Sequence, residues 1–138
     1  MAAMIRIVRL ATPRHPDEGT RIGTVRRPPR GVPKSEFASR DFYDVWFPNL
    51  SPSPDLVKRA LASQADLGTA GAKEWAAFTR GYRKEMAQPE NAHAIALLAA
   101  LSQQSNFSVG CYCENEARCH RSILRALLRD AGARVDVA

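Results

Sequence analysis

Phe107-Ser108-Val109-Gly110-Cys111-Tyr112-Cys113-Glu114-Asn115-Glu116-Ala117-Arg118-Cys119-His120-Arg121-Ser122-Ile123-Leu124-Arg125 is the stretch whose reading decides the fold. Its first seven residues favour a β-strand, and the run stops at Glu114-Asn115-Glu116. A helix opens at Cys119, because Ile123, Leu124, Leu127, Leu128 and Ala131 recur at the three-and-four spacing of one apolar face. Cysteines, a histidine and arginines therefore gather where a strand ends and a helix begins. Free backbone N–H groups and the positive end of a helix dipole stand beside them. This junction is the candidate functional site.

Outward from it, the apolar periodicity marks further helices. Ser53-Pro54-Asp55 announces one that runs to about Ala62 with Leu56, Val57 and Leu61 inward. Gly68 and Gly71 interrupt the chain. From Ala72 to Ala87, Trp75, Phe78, Thr79, Tyr82 and Met86 share a face, with charged residues on the rest. Pro89 starts a third helix, up to Ser102 or Gln103, with Ala94, Leu97, Leu98 and Leu101 as its core stripe. Gly132 reads as a helix C-cap, and Ala133 to Val137 as a last short strand.

Towards the amino terminus, Met4 to Leu10 reads as a strand with a buried middle, and Arg21 to Val25 as a second. Pro13, Pro16 and Gly19 make the connection a loop without helical pattern, which argues for antiparallel neighbours. Arg26 to Arg40 carries Pro28, Pro29, Gly31 and Pro33, too many breakers for a regular element. Phe37, Phe42, Tyr43, Trp46 and Phe47 follow and are read first as tying this long loop to the core, with stacking faces beside the arginines for single-stranded nucleic acid as the alternative. The alternation of strands and helices in the second half predicts a single α/β domain over residues 1–138: a small, partly parallel mixed sheet flanked by helices. Ligands of such sheets collect at the carboxyl ends of parallel strands, where Cys111 and Cys113 fall.

The chain has 138 residues and a formal charge of +6. Residues 1–34 hold eight basic groups (Arg6, Arg9, Arg14, Arg21, Arg26, Arg27, Arg30, Lys34) against Asp17 and Glu18, and the remainder balances. The excess points to a local basic surface facing an anion, set against a merely solubilising one. The longest apolar run, Ala94 to Leu101, falls far short of the roughly 20 residues of a membrane helix. Arginine interrupts the apolar start, so no secretory leader is read and a cytoplasmic location is expected. Three cysteines within nine positions exclude a disulfide framework between distant segments.

The motifs, taken together, resemble a known family. Cys111 stands eight positions before Cys119-His120-Arg121-Ser122; upstream lie Glu18-Gly19-Thr20-Arg21, then Arg26-x-x-Pro29-Arg30-Gly31-x-x-Lys34, then Pro48-Asn49-Leu50-Ser51-Pro52-Ser53. The combination is similar to the YeaO-like domain-of-unknown-function family over nearly the whole chain. The resemblance implies a small α/β domain of bacterial or archaeal type and no established activity. The chain departs from the pattern in Arg27-Pro28, where many members have an aliphatic residue and tryptophan. It also has Glu18 for the usual Asp, and Cys113 where relatives often carry glutamate.

Three chemistries compete at the junction. A cysteine nucleophile in an anion cradle needs a thiolate ringed by N–H donors and an arginine, but six positions after Cys111 stands Ala117 and six after Cys113 stands Cys119, and Glu114 and Glu116 repel phosphate. A Cys3His metal set has the right donors for zinc or iron. Against it, Cys-x-Cys on a strand points to opposite faces, and adjacent Cys119 and His120 diverge by about 100° on a helix. No metal ligand or cofactor is assigned from the sequence. The third is a binding module, with Arg121, Arg125 and Arg129 as a basic stripe opposite the buried face and the Arg26 to Lys34 loop adding charge. The favoured expectation is an anionic partner, a phosphorylated small molecule or nucleic acid, held by Arg26, Arg30, Lys34, Cys119 and Arg121. Cys111 and His120 are its reactive candidates, and a cysteine- or metal-dependent enzyme is the alternative. The pattern sets no oligomeric state. The geometric expectation is that the arginine-rich loop folds over the mouth where the thiols and the imidazole emerge.

Overall fold

The computed structural model describes residues 2–137. Four strands, β1 (Ile5–Arg9), β2 (Thr20–Gly23), β3 (Val45–Trp46) and β4 (Phe107–Cys111), form one sheet in the order β1-β4-β2-β3. Every pairing is parallel, with Ile5 and Thr20 both opposite Phe107, and Arg9 opposite Cys111. Four helices accompany it: α1 (Pro54–Ala65), α2 (Thr69–Met86), α3 (Pro89–Leu101) and α4 (His120–Asp130). The α/β architecture with flanking helices is as the sequence indicated, and β4 occupies its centre with all five residues buried.

The antiparallel pairing expected of β1 and β2 does not occur. β4 inserts between them, so Leu10 to Gly19 must carry the chain back across the sheet without a helix. A buried ion pair organises that return. Arg21 donates from Nε to Glu18 Oε2 at 2.6 Å and from Nη2 to Oε1 at 3.0 Å, and Ser108 on β4 donates to the same carboxylate at 2.7 Å. Arg21 also reaches the carbonyls of Thr12 and Asp41. Gly19 has a φ of +72°, and a Cβ there would meet the Asn106 carbonyl, so the turn into β2 needs glycine.

Two apolar clusters result. The larger joins Ile5, Ile7, Leu50, Leu56, Phe78, Tyr82, Leu98, Val109, Leu124 and Leu128 beneath the helices. Burying a residue such as Phe78 or Leu124 contributes about 1.5–3 kcal/mol. The smaller joins Leu10, Val25, Tyr43, Cys111 and Cys119, with Phe37, Phe42 and Tyr112 packed on it, so those aromatics do tie the proline-rich loop to the core. Trp46 stays 44 % exposed, its indole donating to the Val25 carbonyl.

Several local expectations shift. The core face of α3 is Ile95, Leu98 and Ala99, leaving Leu97 and Leu101 exposed. On α1 the buried residues are Leu56, Ala60 and Ser63, while Leu61 is exposed. Residues 133–137 make a single parallel bridge, Val135 to Ile5, rather than a full strand. The exposed stripe expected of Arg121, Arg125 and Arg129 is not there, because α4 is covered on its second side as well. Arg121 and Arg125 are buried, and Arg125 is clamped between Glu116 and Asp136.

Candidate functional site

The carboxyl ends of β2 and β4 lie side by side, and the chain runs on from them into Thr24-Val25 and Tyr112-Cys113. Above these ends opens a cavity of about 710 Å3, within the ordinary range for small-molecule sites. Its floor carries Cys111, Cys113, Cys119, His120 and Thr24; its walls are Phe42, Pro52, Val57, Leu61, Phe78 and Tyr112; Arg26, Arg27, Arg30 and Lys58 stand among its lining.

The floor is a tight cluster. Cys111 Sγ and Cys119 Sγ are 3.0 Å apart, and Cys119 Sγ lies 3.6 Å from His120 Nδ1. The strand period that would send Cys111 and Cys113 to opposite faces does not apply, because β4 ends at Cys111. Cys113 therefore turns back toward its neighbours, and Gln64 Nε2 lies 3.9 Å from its sulfur. Cys119 sits before the first helical residue in extended conformation, so the helical 100° between it and His120 does not apply either.

Protons are unevenly shared among the sulfurs. The neighbouring sulfurs hold the Cys113 pKa well below that of an ordinary thiol, whereas they and burial hold the Cys111 pKa well above it. Cys119 is pushed up to about 11 by its neighbours and by burial, although Cys111's S–H, the largest influence on it, acts the other way.

His120 is buried against the Tyr82 ring, 5.5 Å between centroids, at the end of a stack that runs from Trp75 through Phe78. Its Nε2 lies 3.0 Å from the Thr24 carbonyl and 3.1 Å from Thr24 Oγ1. A carbonyl only accepts, so Nε2 carries the proton and Nδ1 presents its lone pair to Cys119. Burial drives the His120 pKa down to about 4, which keeps the ring neutral.

Arg121 lies behind this floor and outside the cavity lining. It is 3 % exposed, donates from Nη2 to the Cys113 carbonyl, and leaves Nε without a partner. Among the described residues no carboxylate pairs with it. Burial opposes its charge, and the negative groups around it outweigh that, so its pKa is raised.

Of the residues singled out from sequence, the fold brings Arg26, Arg30, Cys111, Cys119 and His120 to one cavity, with Arg121 just beneath. Lys34 sits on an exposed 3-10 turn, Lys34–Glu36, and does not line it. Arg26 is largely committed, donating to the carbonyls of Ser51 and Pro52, so it pins the loop to the segment before α1. Thr24, Gln64 and Lys58 carry no motif that would have marked them. Thr24 stands one residue past a strand end, which is the only signal its position gives.

The molecule is thus a parallel α/β protein with a buried thiol and imidazole cluster at the strand carboxyl ends beneath an arginine-bearing loop. A family model described as the active DUF488-N3 subclade matches residues 5–132, and the chain belongs to that DUF488 family, the one its YeaO-like motifs had indicated. No curated protein and no solved structure matches it. No helix among the described residues is long and apolar enough to cross a membrane.

Proposed function

We propose that the protein binds an anionic small molecule with an apolar or aromatic body in the cavity over Cys111, Cys119 and His120. One observation carries this reading: the Arg26 to Arg30 loop lines the same cavity as the thiols and the imidazole. Arg27, Arg30 and Lys58 are exposed and, among the described residues, have no carboxylate partner, so their charge is free to meet a ligand. The walls suit a ring or alkyl body. A phosphorylated small molecule fits better than nucleic acid, because nucleic acid asks for an extended basic groove. Arg6, Arg9, Arg14 and Arg21, which made the first quarter look uniformly basic, are spent on Asp17's carbonyl, Glu114, Asp41 with Asp44, and Glu18.

The sulfur cluster favours a second reading, in which the bound molecule reacts at a thiol. Cys113 is the half-buried member and the one a ligand reaches first. The two readings separate by substitution. Calorimetry against a panel of phosphorylated mononucleotides and sugar phosphates should find a binder whose affinity falls at least about tenfold in Arg27→Ala/Arg30→Ala, the loss of one or two charge-assisted contacts. Cys113→Ser should leave that affinity unchanged. Unaltered binding in the arginine double variant, or no binder in the panel together with tight binding to single-stranded oligonucleotides, ends the small-anion reading.

A further inference from the structure

The ligand atoms of Cys111, Cys119 and His120 all lie within 4.8 Å of one another, and all three residues line the cavity. A tetrahedral zinc ion with bonds of about 2.3 Å to sulfur and about 2.0 Å to nitrogen places two sulfurs about 3.8 Å apart and a sulfur and nitrogen about 3.5 Å apart. The Cys119 Sγ to His120 Nδ1 distance of 3.6 Å already meets that requirement. The sulfurs, at 3.0 Å, need to part by less than an ångström, within reach of small side-chain rotations.

Two further features of the same residues point to an ion. His120 commits Nε2–H to the Thr24 carbonyl, the arrangement by which a metal-binding histidine is oriented through its second nitrogen, and this leaves Nδ1 as the donor atom facing the sulfurs. Arg121 is a buried guanidinium with an unpartnered Nε and no carboxylate within ion-pair distance among the described residues. A buried charge of that kind calls for negative charge beside it, and metal-bound thiolates supply it.

We propose that Cys111, Cys119 and His120 bind one thiophilic divalent ion, zinc in the first instance, with a fourth position open to the cavity. On binding, both thiols lose their protons to solvent, the two S–H bonds are replaced by two sulfur–metal bonds, and the Zn2+ charge is balanced by two thiolates. Soft sulfur and imidazole donors select zinc over magnesium or calcium. Three protein ligands and an open position are the pattern of a working site rather than of a purely structural one. The proposal does not rest on the anion reading.

The test uses the full chain, prepared under reducing conditions without chelator, and Co2+ as the optical probe. About one equivalent of zinc is expected on purification. Cobalt added to the stripped protein should give the visible bands of a tetrahedral site and a strong near-ultraviolet sulfur-to-cobalt band. That band should lose roughly half its intensity in Cys119→Ser, with affinity weakened by about 100-fold or more, beyond what losing a mere outer partner costs. His120→Ala should weaken affinity while sparing the sulfur band. A wild-type protein with no sulfur-to-cobalt band, or a band and affinity unchanged in Cys111→Ser and Cys119→Ser, overturns the proposal. Should the variants fail to fold, alkylation of the wild-type protein decides: zinc should shield Cys111 and Cys119. Equal labelling with and without zinc, or a Cys111–Cys119 disulfide that persists under reductant, refutes it.

Discussion

The Nε2 atom of His120 lies 3.0 Å from the carbonyl oxygen of Thr24, and this one contact decides which face of the imidazole is left for chemistry. Thr24 follows β2 and His120 opens α4, 96 positions apart in the chain, so the tautomer is a product of the tertiary fold. The Thr24 hydroxyl donates to the Gly110 carbonyl at 3.0 Å and braces the ring from the side. Thr24→Val should therefore cost about 1–2 kcal/mol, the loss of buried hydrogen bonds, while the carbonyl keeps Nε2 protonated. Nitrogen-15 correlation spectra of the metal-free protein should show the Nε2–H tautomer in both proteins. An Nδ1–H pattern in the wild type contradicts the assignment.

Glu18 and Arg21 lie 2.6 Å apart with side-chain exposures of 2 % and 0 %, which makes their charge state a matter of stability. Burial pushes the Glu18 carboxyl up, but hydrogen bonds from Arg21 and Ser108 outweigh it and hold its pKa below the ordinary 4.5. A carboxylate depressed in the folded state contributes stability that is fully present above its unfolded pKa and is lost as pH falls through the folded value. Asp44, buried in part but bonded by Arg14 and the Arg21 amide, is depressed too and acts in the same direction. Stability should thus hold at neutral pH and decline below about pH 4.5. Glu18→Gln should cost about 3–5 kcal/mol at pH 7 by stranding the Arg21 charge, and should flatten the acid decline. Denaturant melts from pH 3 to 8 measure both; a parallel decline in the variant would falsify the role given to Glu18.

How much of this was legible in the sequence depends on the range over which each feature is set. The helices carry their own periodicity and proline or serine starts, so α1, α2, α3 and α4 all appear within a few residues of their expected places. The strand order does not reside in any one segment. Nothing in Leu10 to Gly19 announces that β4, almost 90 residues on, will insert between β1 and β2, since the deciding bonds are Glu18 to Arg21 and Ser108. The arginines mislead for the same reason. Arg125 has a surface residue's spacing and becomes a buried one only because Glu116 and Asp136 converge on it. Cys111, Cys119 and His120 were visible as a cluster because they are close in the chain. Thr24, which orients the histidine, comes from 96 positions away and had no mark of its own.

Arg125 fastens the carboxyl-terminal segment to the sheet. Its Nη1 lies 2.8 Å from Asp136 Oδ1, while Nε and Nη2 form a fork on Glu116 at 2.9 and 3.0 Å. Asp136 in turn donates its amide to the Ile5 carbonyl. Lysine retains the charge but cannot span both carboxylates, so Arg125→Lys should lose about 1–2 kcal/mol, discounted because each acid is 27 % exposed. The loss should be local. Amide exchange at Asp136 should accelerate at least about tenfold, and the amides of β4 should be unaffected. Uniform acceleration across the sheet would show that Arg125 supports the core and not the terminal segment.

Gly110 precedes Cys111 at the centre of the sheet, and a Cβ there would stand 2.6 Å from the Val8 carbonyl oxygen and 2.8 Å from Val8 Cγ2. The first of these is backbone held in the β1 to β4 pairing, which cannot yield without moving the strand. Alanine should therefore push β4 away from β1 and cost about 1–3 kcal/mol as an overpacked core position. Because the Gly110 carbonyl also receives the Thr24 amide and hydroxyl, the shift should reach the floor of the cavity. Urea melts of Gly110→Ala should show a lower midpoint at unchanged slope, and the Nε2–H signal of His120 should move. Wild-type stability with an unmoved imidazole signal would mean that the two strands have room to spare, and that the spacing of Cys111 from His120 is not governed by the close approach of β1.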